Sequence, residues 1–140
     1  MHKSYSFVNT FSVAFQHLKY LHLVSLQKDG YRMPKENLFP VTNLVRSSII
    51  RQHCFNESLI GGMEDWDLWM KLANNGYWGY TIREILFWYR IKPPDQRWEH
   101  ISIDSNKAKA KMIERMTVLY PKVYTQGLPV IHQPQVIDFV

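Results

Sequence analysis

The stretch from Glu64 to Asn74 constrains this chain more than any other. It reads EDWDLWMKLAN, and Trp66, Trp69, Met70 and Ala73 recur at i, i+3, i+4 and i+7. That spacing predicts a helix whose indole-rich face lies in a core. Its ends are marked by chemistry. Glu64, Asp65 and Asp67 crowd the first turn, where the helix dipole favours negative charge, and Lys71 lies nearer the other end. Asn75-Gly76 follows as a left-handed stop, and the pair Gly61-Gly62 precedes the acids in a loop from Asn56 to Met63.

Strand-like sequence lies on both sides. In YSFVNTFSVAF (residues 5–15), Tyr5, Phe7, Phe11, Val13 and Phe15 share one parity, while Ser6, Thr10 and Ser12 take the other. That alternation predicts a strand with one strongly buried face. Residues 18–26 fit a second strand, although Leu18, Leu21 and Val24 also fit a helix. Residues 27–40 hold Asp29-Gly30, Pro34 and Pro40 and read as a loop, with Gly30 free to take positive φ. Residues 41–46 suit a short strand or a turn of helix, and Ser47 or Ser48 can cap a helix to about His53.

Farther on, residues 77–82 and 85–91 read as two short strands, closed by Pro93-Pro94. Asp104 or Ser105 opens a helix to about Leu119, with Ala108, Met112, Met116 and Leu119 on one stripe and Pro121 as its stop. No pattern marks the tail from Gly127. Strands interleaved with helices predict an α/β fold.

Composition narrows the classes. The 140 residues suffice for one modest core, and 46% hydrophobic with 21% charged residues is ordinary for a globular domain. Five Trp, eight Tyr and seven Phe suit either a core or a ligand surface. The net charge of +5 is spread along the chain with no long run, and no RNP, KH or zinc-finger pattern supports nucleic-acid binding. Anionic small molecules fit that charge equally well. The single cysteine, Cys54, excludes an internal disulfide, and six dispersed histidines form no local metal motif. No run is long and apolar enough to span a membrane. Asn9, Thr10 and Ser12 interrupt the apolar run near the start, which argues against a signal peptide and for a cytoplasmic location.

The run from Asn56 to Arg90, NESLIGGMEDWDLWMKLANNGYWGYTIREILFWYR, resembles a segment of family 2 glycosyltransferases. There a glycine pair precedes Glu-Asp, a Trp-rich helix, a Gly turn and a strand ending in Tyr-Arg. VNTFSVAF and ENLFPVTNLVRSSII look like the same family's preceding strand and lead-in to the acceptor site, so the resemblance covers about residues 4–98. It implies a partial GT-A-like mixed sheet with flanking helices, the acceptor-side half of a transferase over residues 1–100, and a C-terminal helix and tail over 101–140.

The resemblance implies roles for particular residues. Asp65 is placed as the general base that takes the proton of an acceptor hydroxyl while a nucleoside diphosphate leaves. Glu64, Gly61 and Gly62 are placed at the acceptor, and Asp67 is left as structural. Arg90 and Lys92 are placed near the donor phosphates, with surface charge at a strand end an equal alternative; Arg97 is a weaker candidate of the same kind. Many family members carry a His where this chain has Lys92, which removes one metal ligand. The family's N-terminal nucleotide-binding half, with the Asp-x-Asp that holds a divalent Mg or Mn ion, has no counterpart before residue 40. The expectation is therefore a fragment, a truncated gene product or one piece of a split enzyme, inactive on its own. It belongs to an inverting transfer from a nucleotide-sugar to a glycan or other hydroxyl acceptor, with the metal ligands in the missing donor half. A non-catalytic interaction module is the alternative. A third class, a basic helix at 105–119 lying on a membrane surface, is weakened because Lys107, Lys109, Lys111 and Arg115 do not share one face.

Overall fold

The computed structural model describes residues 5–15, 32–37, 39, 41–59, 62–90 and 105–129. In chain order the elements are β1 (Phe7–Phe15), β2 (Leu44–Val45), α1 (Ser47–Gln52), α2 (Glu64–Asn74), β3 (Gly79–Arg90), α3 (Ser105–Leu119) and α4 (Pro121–Gln126). The chain is a small α/β protein with a three-stranded mixed sheet in the order β2-β1-β3. β1 pairs antiparallel with β2 and parallel with β3. A parallel neighbour needs a crossover, and α2 lies on that path.

The core forms where α2 lies against the start of the sheet. Phe7 packs on Trp69 with ring centroids 4.8 Å apart and meets Trp78 edge-on at 5.6 Å. Trp66, Trp69, Met70 and Ala73 are all buried, as their spacing predicts. Leu68, Leu72 and Asp67 are buried too, because α3 and α4 cover a second side of the helix. Their contribution is a stripe of Met112, Met116, Tyr120 and Val123. Ala108 and Leu119, expected on that stripe, are exposed.

Several local expectations change. The strand at β1 forms, but its burial is uneven: Phe7 and Asn9 are buried, whereas Phe11 and Val13 are only half-buried. The register slips on either side of Phe11, which breaks the strict alternation. The two strands expected at 77–82 and 85–91 are one strand, β3. Thr10 faces Ile82 and Phe11 faces Ile85, so Arg83 and Glu84 form a bulge where the sequence suggested a gap. Arg46, not a serine, occupies the cap of α1, without a side-chain hydrogen bond. Pro121 ends α3 as expected and also begins α4, where its missing N–H costs nothing. The segment expected as a loop before β2 supplies two core side chains, Met33 and Phe39. The ambiguous element at 18–26, Gly30 and the Pro93-Pro94 stop lie outside the described residues.

Candidate active site

Asp65 is the second residue of α2 and is half-buried. Two donors converge on its Oδ1: the Asn37 side-chain amide at 2.9 Å and the Trp66 backbone amide at 2.8 Å. Burial pushes this carboxyl above the ordinary aspartate value, the two hydrogen bonds pull it down, and the charge of Glu64 pushes it up again. The net direction is upward. Desolvation thus outweighs the donors around Asp65. A carboxylate raised in this way is a better proton acceptor.

The backbone before Asp65 is unusual. Gly62 has φ of 97°, which a side chain would oppose. Met63 takes φ of 66° and ψ of 17° and occupies the cap of α2, with no side-chain cap bond. A left-handed methionine costs about 1–2 kcal/mol, and such outliers gather at functional sites. Glu64, next in the chain, is exposed.

Asn37 reaches Asp65 from a turn at 32–37. The Lys35 and Glu36 amides donate to the Arg32 carbonyl at 2.8 and 2.9 Å and close that turn. Trp66 Nε1 donates to the Met33 carbonyl at 2.7 Å, and the Tyr124 hydroxyl donates to the Pro34 carbonyl at 3.0 Å. The turn is thus clamped between α2 and α4.

Asp67 differs from its neighbour. It is fully buried, and the Tyr120 hydroxyl donates to its Oδ1 at 2.9 Å. Its Oδ2 has no hydrogen bond and lies 3.8 Å from Lys71 Nζ, an ion-pair contact at long range. Burial, then the Asp67 charge, holds the Tyr120 phenol far above the usual tyrosine value, so it stays a donor. Asp67 is structural as expected, but as an internal tie between α2 and the α3–α4 junction rather than as an exposed helix start.

A second polar feature crosses the sheet. Asn9 stands opposite Thr81, and Asn43 lies one step beyond the Val8↔Leu44 pair of β2. Asn9 Oδ1 and both side-chain polar atoms of Asn43 are buried without a hydrogen bond.

The remaining candidates are more scattered. Arg90 is the last residue of β3, exposed and in register with Phe15. Gly61, Lys92 and Arg97 lie outside the described residues. Among the described residues no group of three or more His, Cys, Asp or Glu could hold a metal ion, so this set does not fit a divalent ion. No described helix is long and apolar enough to cross a membrane. The sequence reading missed Asn37, Tyr120 and Tyr124, which carry no periodic signal and act across long separations. Set beside known proteins, the chain matches no family model, no curated protein and no solved structure.

Proposed function

We propose that this chain supplies the acceptor side of a GT-A-type sugar transfer, with Asp65 as general base. The observation that carries the reading is the environment of Asp65. A half-buried carboxylate, held by Asn37 and the Trp66 amide and raised by desolvation, stands two residues after a left-handed Met63 and three after the positive φ of Gly62. In the reaction, an acceptor hydroxyl oxygen forms a bond to the anomeric carbon of a nucleotide-sugar. The bond from that carbon to the diphosphate breaks, the electron pair leaves with the phosphate, and the acceptor proton passes to Asp65. Glu64 and the backbone at Gly61 and Gly62 receive the acceptor, and Arg90 and Lys92 meet the leaving phosphate. A nucleotide-sugar-binding unit, with its Mg or Mn ion, completes the site.

The test is to fuse the chain to such a unit and follow release of nucleoside diphosphate with a panel of donors and hydroxyl acceptors. Acceptor-dependent release supports the reading, and release that ignores the acceptor counts against it. An interaction module is the second reading, favoured by Ile85, Leu86, Trp88 and Tyr89, which stand exposed along the end of β3.

A further inference from the structure

We propose that Tyr120 and Tyr124 are positioning residues for Asp65, acting through the two elements that meet at its carboxylate. The contacts form a closed circuit. Tyr120 donates to Asp67 Oδ1 at 2.9 Å and so holds the first turn of α2. Tyr124, one turn later in the chain, donates to the Pro34 carbonyl at 3.0 Å and holds the turn that carries Asn37. Trp66 Nε1 ties α2 to that turn through the Met33 carbonyl at 2.7 Å. Asn37 closes the circuit on Asp65 Oδ1 at 2.9 Å. At the other end of α2, Asn74 Oδ1 accepts from the Lys122 amide at 3.0 Å, which fixes α4 along the helix.

The geometry separates two kinds of support. Asn37 is exposed, and its turn is short, so local structure alone cannot hold its amide on a carboxylate 28 residues away. The turn is fixed by what it docks against, and two of its carbonyls, those of Met33 and Pro34, are taken by Trp66 and Tyr124. Burial pushes both tyrosine hydroxyls upward, so both remain donors across the neutral range. The inference rests on Asp65 being the working carboxylate, but its geometry can be tested without turnover.

The test uses the full chain and side-chain amide NMR. The Asn37 Nδ2 protons should follow the titration of Asp65, and Asp65→Asn should abolish that pH-dependent shift, which assigns it. Tyr124→Phe removes one hydroxyl and leaves the ring. We expect it to lose most of the Asn37 shift while melting close to the parent. Val123→Ala is the control: Val123 is buried in the core beside Tyr124, so the variant melts earlier but should keep the shift. Tyr120→Phe should also lose the shift; where it fails to fold, Tyr124→Phe carries the test. An Asn37 titration unchanged in Tyr124→Phe overturns the proposal, as does a Val123→Ala variant that loses the shift equally. If instead the circuit behaves as described but Asp65→Asn leaves turnover of the fused enzyme intact, the functional reading falls and the positioning circuit stands.

Discussion

Asp65 and Asp67 sit two residues apart on one helix and meet opposite surroundings. Asp65 is half-buried and held by amides, whereas Asp67 is wholly buried against a phenol. Their replacement should differ in sign. Because the folded-state value of Asp65 lies above its unfolded value of about 3.9, the folded protein binds that proton more tightly. The stability this gives is present below the ordinary value and is lost as pH rises through the raised one. Asp65→Asn should therefore melt higher than the parent at neutral pH, with the advantage fading in acid. Melting curves across that range check it, and a variant less stable at neutral pH would contradict it. Tyr120→Phe is the converse case. It strips the last hydrogen bond from a buried carboxylate and should cost about 2–4 kcal/mol in denaturant unfolding. Tyr124→Phe, which leaves the neutral Pro34 carbonyl without this donor, should cost about 0.5–1.5 kcal/mol.

At the scale of elements, legibility followed the length and regularity of the pattern. Four apolar positions at helical spacing, acids before and Asn-Gly after, mark α2 over the span it takes in the structure. In the sequence β3 reads as two pieces because Arg83 and Glu84 interrupt an apolar run. In the folded strand they form a bulge, which the pairing with β1 tolerates. α4 escaped because Pro121 signals a stop more loudly than a start, and a first-turn proline does both. Asn37, Tyr120 and Tyr124 were illegible for another reason: their partners lie 28, 53 and 90 residues away, and no local pattern encodes a pairing at that range.

Glycines at the join of α2 and β3 give a prediction at the same scale. A Cβ at Gly79 would come within 2.5 Å of two Phe7 ring carbons and 2.7 Å of the Phe7 carbonyl oxygen. Gly79→Ala should cost about 1–3 kcal/mol by forcing the sheet and its aromatic cluster apart. Gly76, at φ of 81°, meets nothing within 4 Å. Gly76→Ala should therefore cost only the backbone strain, about 1–2 kcal/mol. Equal losses in chemical denaturation would contradict this division.

At the scale of the molecule, the described helices lie against the first part of the sheet. Among the described residues β3 pairs with β1 on one side only, and Ile85, Leu86, Trp88 and Tyr89 are exposed on both of its faces. A two-faced apolar strand end invites pairing with other chains. Leu86 is 60% exposed, so Leu86→Lys should reduce self-association in light scattering while moving stability by no more than about 0.5 kcal/mol. The same surface is where a donor-binding unit could extend the sheet, which joins the association behaviour to the proposed chemistry.

That chemistry turns on one carboxylate, and kinetics of the fused enzyme test it most directly. Asp65→Asn keeps the shape and can still hydrogen-bond, but it cannot take a proton. It should lower kcat by about 10²–10⁴-fold with donor affinity unchanged. The acid limb of the pH profile, set above the ordinary carboxylate value in the parent, should vanish with it. Glu64→Gln and Asp67→Asn should each lose far less turnover. Near-full turnover in Asp65→Asn, or loss in Glu64→Gln instead, would contradict the account.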